Sequence, residues 1–312
     1  MPADSSKVYR KISMDFRSGE LSLKGKLIVP RELTSRVPVV VFCVGSSAGS
    51  TMKTYEPFLD SLFLQTLPMD KVAVFFFDKR GVGASEGKWY KTSFEERAAD
   101  AKAAADFLKT LPYIDADRIA VAGHSQGGWI SQICVASYPE TFIAGLSLAG
   151  PSFDVREQIR NDYASSLLCD SPMEEATARK KALRKVNFHL FLASLFPIKE
   201  EWKQLNVIKK FRPETYLLSA ERPLWLVFGE NDPLVSPHYS EMALEKMFPQ
   251  GLPPNIKNLL IPGANHSFKV AELCHKGSTR SLPYSAEAKE VIRQWAETFL
   301  LDREEAGVQH VF

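Results

Sequence analysis

A short apolar run, Ile119–Ala122, passes straight into Gly123-His124-Ser125-Gln126-Gly127, and helix-compatible sequence from Trp129 to Ser137 follows at once. A strand that bends so sharply into a helix needs glycine on both sides of the bend. A side chain at 123 or 127 would collide with the neighbouring strand or helix. Such a turn lifts the Ser125 hydroxyl above the sheet edge. It also aims the Gln126 N–H and the start of the helix at the same point. Ser125 is therefore the first candidate nucleophile.

The G-x-S-x-G spacing alone is weak, because the chain carries it twice. The second copy, Gly83-Ala84-Ser85-Glu86-Gly87, follows a loop, Asp78-Lys79-Arg80-Gly81-Val82, and Lys88-Trp89-Tyr90 after it opens no amphipathic helix. Ser85 reads as a turn residue.

The remaining pattern fits strands feeding helices. Val8–Phe16 and Leu21–Ile28 flank Arg17-Ser18-Gly19-Glu20 as an antiparallel hairpin. Val37–Cys43 is continuously apolar, as in a strand buried on both faces. Val72–Phe77, Ile119–Ala122, Phe142–Leu148, Leu224–Phe228 and Leu259–Ile261 read as further strands. Ser93–Leu111 reads as a helix, with Thr92/Glu95 or Ser93/Glu96 as its capping box. Glu287–Leu301 closes the chain as a helix burying Ala288, Val291, Trp295 and Phe299. The expected fold class is α/β, with a mostly parallel sheet and right-handed crossovers.

Between Gly150 and Tyr216 the alternation stops. Ser171-Pro172-Met173-Glu174 is a helix start by composition, Phe188–Phe196 is almost wholly apolar, and Glu200–Phe211 has helical spacing. The division read from this is a core of residues 1–149 and 217–312, with a helical cap inserted at 150–216. Placed just past the Ser125 turn, that block would cover the catalytic end of the sheet. Phe188–Phe196 reads first as the insertion's own core and second as a substrate wall.

A chain of 312 residues with 45% hydrophobic content can bury one large domain with an insertion. A formal net charge of +2 with no long basic run gives no case for nucleic acid or an anionic membrane as partner. No apolar run approaches the ~20 residues of a membrane helix. The N-terminal residues lack the apolar stretch of a signal peptide, so cytoplasmic is the default location. Cys43, Cys134, Cys169 and Cys274 are scattered, with no zinc or redox spacing, and Cys43 and Cys134 read as small core residues.

A serine hydroxyl needs a base, and the base needs an acid. Of six histidines, His266 lies in the loop directly after Leu259–Ile261. Catalytic groups of open α/β sheets gather at the carboxyl ends of strands. His124 is too constrained beside the serine, and His189, His238, His275 and His310 have no comparable position. Asp232 follows Leu224–Phe228 in the same way, bracketed by Asn231 and Pro233, with Glu230 its rival. The chain order is Ser125, Asp232, His266.

With these segments in view the sequence resembles the α/β-hydrolase family across essentially its whole length. Four segments carry the resemblance: Gly45-Ser46-Ser47, Phe77 to Gly87 with its D-x-R-G-x-G-x-S pattern, the Ser125 elbow, and Gly229 to Val235 with Gly263 to His266. Within the family it is similar to lidded bacterial serine esterases related to dienelactone hydrolase and to prolyl-oligopeptidase-like acyl hydrolases. The resemblance implies a serine hydrolase acting on short to medium acyl esters, a small-molecule substrate, and no metal or organic cofactor. It implies backbone oxyanion donors at Ser46 and Gln126, with Ser47 able to take the place of Ser46. It gives Asp78 and Arg80 a bracing role. Where relatives often carry His-Gly after the third strand, this chain has Val44-Gly45. A thioesterase or an acyltransferase would use the same triad; a non-catalytic receptor of the same fold is the alternative from another class.

Overall fold

The structure is a computed structural model that describes residues 8–301. Val37–Cys43 (β3) is buried at every position, and its alternate side chains feed two cores. Val39, Val41 and Cys43 face one; Val40 and Phe42 face the other. That is the signature of a central strand covered by helices on both sides.

Around it Tyr9–Ser18 (β1), Leu21–Pro30 (β2), Ala73–Phe77 (β4), Ile114–His124 (β5), Gly145–Leu148 (β6), Leu224–Gly229 (β7) and Ile256–Ile261 (β8) complete one sheet. Its order is β1-β2-β4-β3-β5-β6-β7-β8. The first two strands pair antiparallel, as the Arg17–Glu20 turn predicts, and β2 also meets β4 antiparallel. From β4 to β8 every pairing is parallel.

Phe94–Lys109 (α2) and Gln126–Ser137 (α3) cover one face. Met52–Phe58 (α1) and Ala286–Ala296 (α9) cover the other. The α2 start is the expected capping box: Ser93 accepts from the Glu96 N–H while the Glu96 carboxylate accepts from the Ser93 N–H. The closing helix buries Ala288 and Trp295 as read, but Ile292 and Leu300 lie deeper than Val291 and Phe299.

Between β6 and β7 stand Val155–Asp170 (α4), Glu175–Leu195 (α5), Glu200–Ile208 (α6) and Pro213–Leu218 (α7). This is the helical cap region. Its internal boundaries differ from the sequence reading. The first helix, capped by Asp154 accepting from the Glu157 N–H, was not foreseen. Ser171 ends that helix instead of opening the next, and α5 begins at Glu175 with no side-chain cap. Phe188–Phe196 is not an internal core: Phe188, Phe191, Leu195 and Phe196 are all more than half exposed. The buried stripe of α5 is Ala178, Ala182, Val186 and Ala193, so small residues rather than aromatics pack α5 inward. Pro237–Met247 (α8) follows β7.

A disulfide joins Cys169, the penultimate residue of α4, to Cys274 in the segment after β8. Sequence spacing gave no sign of it, because the partners lie 105 residues apart. Cys43 and Cys134 are free and buried, as read.

Candidate active site

Strand β5 ends at His124, and α3 starts at Gln126, so the whole reversal falls on Ser125. Its φ of 57° and ψ of −122° lie where non-glycine residues rarely sit, a strain on the order of 1–3 kcal/mol. The bend is held by the Ser125 N–H donating to the Leu148 carbonyl and by the Gly128 N–H donating to the Ser125 carbonyl, both at 2.8 Å. The glycines answer to space. A Cβ on Gly123 would stand 1.9 Å from the Gly127 carbonyl oxygen, and one on Gly127 2.0 Å from that of Cys43.

Asp232 and His266 come together from two neighbouring strand ends. His266 Nδ1 lies 2.7 Å from Asp232 Oδ2. The other carboxylate oxygen, Oδ1, accepts from the Leu234 and Val235 N–H groups at 2.8 and 2.9 Å. Asp232 is buried, so both its oxygens are committed and its plane is fixed. Glu230 instead accepts from the Gly263 N–H, which leaves it a brace of the His266 loop.

His124 is structural, and it connects the parts. Its Nε2 lies 2.8 Å from the His266 carbonyl oxygen, and its Nδ1 lies 3.0 Å from the Tyr55 hydroxyl. A carbonyl only accepts, so Nε2 carries the proton and Nδ1 accepts from Tyr55. The Tyr55 oxygen in turn accepts from the Gly45 N–H at 2.9 Å. Burial pushes the His124 pKa down to about 3, so the ring is neutral in this chain of bonds. Sequence reasoning set His124 aside as a base but did not find this tie, since nothing in the spacing links Tyr55 to it.

Arg80 braces, as expected: it grips the buried Asp100 carboxylate with Nε and Nη2 at 2.7–3.0 Å. Asp78 Oδ1 accepts from the Met52 N–H at the start of α1. Ser85 is buried in its turn, donating to the Asp78 carbonyl and accepting from the Lys24 N–H. It is removed from any nucleophilic role.

Three residues near the site were not singled out from sequence. Lys79 and Arg97 are buried beside the Gly45 loop. Asp162, on α4, has its pKa raised by burial and lies within the electrostatic reach of His266 and Asp232. A cavity of about 300 Å³ adjoins Ser47 and Gln126 and runs under the cap, between Trp89 and Trp129 on the core side and Val186, Leu190 and Leu205 on the cap side. Its lining is mainly apolar, as is usual for small-molecule sites. The inward-facing part of the apolar stretch, His189 and Leu190, does form cavity wall. Among the described residues no cluster of His, Cys, Asp and Glu is arranged to hold a metal ion, and no helix is long and apolar enough to cross a membrane.

The family model described as "Serine aminopeptidase, S33" matches residues 38–269, well over half of the chain. The chain belongs to the serine aminopeptidase S33 family. Within the range of that S33 match lie Ser125, Asp232, His266 and the whole cap region. Among curated proteins the chain is 27% identical over 211 residues to the α/β-hydrolase domain-containing protein WAV2 of Arabidopsis thaliana. That alignment covers 68% of this chain and 58% of the relative, so the chain spans less than two thirds of the length of the protein it matches.

Solved structures of the same fold include Est1E of Butyrivibrio proteoclasticus with bound ferulic acid. It has a TM-score of 0.58 and 17% identity, covering 92% of this chain and 98% of that one. The Pyrococcus furiosus esterase Pf2001 gives 0.60 and 18%, covering 94% and 92%. The Pyrococcus horikoshii acylaminoacyl peptidase gives 0.61 and 19%, covering 96% of this chain but 43% of that one. At these identities the likeness is one of fold. The S33 family chain thus shares the α/β-hydrolase fold with these structures. The closer kinship with dienelactone hydrolase and prolyl-oligopeptidase-like enzymes read from its motifs is not singled out by these matches.

Proposed function

We propose that the chain is a serine hydrolase that cleaves small carboxylic esters through an acyl-enzyme. The observations that support this are the His266–Asp232 pair at 2.7 Å, with the second Asp232 oxygen locked by two N–H groups, and a serine held at a strained elbow whose preceding residue, His124, hydrogen-bonds the His266 carbonyl. Ser125 Oγ attacks the ester carbonyl and its proton passes to His266 Nε2. Asp232 keeps the Nδ1–H tautomer and stabilises the imidazolium. The proton then passes to the leaving alcohol, and water reverses the sequence to release the acid. Backbone N–H groups of Gln126 and Ser46 receive the oxyanion; such donors contribute about 3–4 kcal/mol in the transition state.

Short to medium acyl groups, straight or aromatic, match a cavity of about 300 Å³ with indole walls. Est1E, solved with ferulic acid, makes a hydroxycinnamate ester a sensible member of the test panel. Acyl transfer to a thiol or a second alcohol would use the same residues.

The test is hydrolysis of a p-nitrophenyl ester series by the wild type and by Ser125→Ala, alongside fluorophosphonate labelling. Turnover and labelling that survive in Ser125→Ala would overturn the assignment. Acyl thioesters, and esters supplied with alcohol acceptors, separate hydrolase from transferase.

A further inference from the structure

The segment Val44-Gly45-Ser46 leaves β3 and passes the nucleophile closely: a Cβ on Gly45 would lie 3.5 Å from Ser125 Cβ. Side chains from three elements take its backbone polar atoms. From α1, the Tyr55 hydroxyl accepts from the Gly45 N–H. From α2, Arg97 Nη2 donates to the Val44 carbonyl at 2.6 Å and reaches the Gly45 carbonyl at 3.5 Å. From the residue after Asp78 at the end of β4, Lys79 Nζ donates to the Gly45 carbonyl at 3.0 Å and to the Ser50 carbonyl at 3.2 Å.

The Gly45 carbonyl and the Ser46 N–H belong to one peptide unit. No peptide bond among the described residues is cis, so these two groups point in opposite directions across one plane. Whatever holds the carbonyl inward turns the N–H outward. Arg97 also touches the second donor residue, since its Nη1 donates to the Gln126 side-chain oxygen at 3.2 Å.

Placing Lys79 and Arg97 here is costly. Each is 6% exposed, and among the described residues neither has a carboxylate within ion-pair distance. Burial and the Arg97 charge push the Lys79 pKa down to about 6. Taking an amine and a guanidinium out of water costs free energy, so an apolar side chain would serve packing better. A lysine amine donates hydrogen bonds in either protonation state, and its two carbonyl partners need only that. Both side chains also border the cavity that adjoins Ser47 and Gln126.

We propose that Lys79, backed by Arg97, is a positioning residue for the oxyanion hole: it clamps the Gly45 carbonyl so that the Ser46 N–H faces the developing oxyanion. This rests on the ester-hydrolysis reading above. It assigns to a buried lysine part of the ordering of the loop that relatives often give to a histidine, where this chain has Val44. On this proposal the donor is Ser46, in the peptide that is gripped, and not Ser47.

The test compares Lys79→Met, which keeps the stem and removes the donor, with Lys79→Gln, which restores one. For each, kcat and KM on a neutral p-nitrophenyl ester are measured, together with the affinity of a trifluoromethyl ketone, whose tetrahedral adduct carries the oxyanion. Lys79→Met is expected to lower kcat by about 10–100-fold, somewhat less than deletion of a donor. Ketone affinity should fall in parallel and KM should stay within about twofold. Lys79→Gln should recover part of both losses. Should Lys79→Met fail to fold, Tyr55→Phe frees the Gly45 N–H in the preceding peptide of the same loop and is read in the same way.

Unchanged kcat and ketone affinity in a folded variant would overturn the proposal. So would a loss confined to KM on esters bearing a carboxylate, which would make Lys79 a substrate-anion site. A wild type that turned over no ester would sink the ester reading itself, and this proposal with it, before any Lys79 variant was measured.

Discussion

His124 Nε2 holds the backbone carbonyl of His266 at 2.8 Å. The residue before Ser125 therefore anchors the residue proposed to activate it. Through Tyr55 the same ring reaches the Gly45 N–H. The Ser125 turn, the His266 loop and the Gly45 loop are joined by one short line of hydrogen bonds.

That line requires a neutral ring, which gives a pH dependence. The unfolded chain binds a proton on His124 below its ordinary value of 6.5, whereas the folded ring stays neutral to about 3. Stability contributed by this residue is complete above pH 6.5 and is lost as pH falls toward 3. The slope is at most about 1.4 kcal/mol per pH unit. Urea unfolding between pH 7 and pH 4 should show a smaller decline for His124→Gln than for the wild type. Parallel declines would rule out a buried neutral ring.

Asp232 accepts two backbone N–H groups on one oxygen and His266 on the other. Asn at this position keeps the shape but can offer His266 an N–H where an acceptor is needed. Asp232→Asn should lower kcat by about 10⁴-fold, with KM and the unfolding midpoint little changed. Glu230→Gln, by contrast, should stay within a few-fold of wild type in steady-state kinetics, because Glu230 braces Gly263 from outside the pair.

Gly123 and Gly127 pack backbone to backbone at the elbow. Gly123→Ala forces a methyl group against the Gly127 carbonyl and should cost about 1–3 kcal/mol of stability. Labelling of Ser125 by a fluorophosphonate should fall with it, read by denaturation and by labelling rate. An alanine variant as stable as wild type would mean the elbow is looser than these distances describe.

The cysteines give a simple count. With Cys169 and Cys274 bridged and Cys43 and Cys134 buried, a thiol reagent should find no reactive thiol in the native oxidised protein. It should find two after denaturation and all four after reduction. In a chain-entropy picture a loop of this length contributes up to about 4–5 kcal/mol, so reductant should lower the unfolding midpoint.

What sequence could show depended on how local its cause was. The elbow, the capping box at Ser93 and the strand β3 are written in consecutive residues, and all three stand where they were read. Asp232 and His266 were found by a general rule about strand ends, and the structure brings them into contact. The features that were missed join distant parts of the chain. Tyr55 meets His124 across 69 residues and Cys169 meets Cys274 across 105. Lys79 hid in a motif whose neighbours, Asp78 and Arg80, had an evident structural use. In the cap, apolar composition pointed to a core at Phe188–Phe196, but α5 turns its alanines inward and its aromatics outward. Composition cannot tell which face of a helix has a partner.

The Cys169–Cys274 bond closes a covalent ring of chain that holds Asp232 and His266 but leaves Ser125 outside. Most of the cap, β7 and β8 lie on that ring. A protease cut in the exposed stretch from Phe196 to Glu201 would open the ring without releasing either piece. The nicked protein would run as one molecule until reduced and then as two, one carrying Ser125 and the other Asp232 and His266.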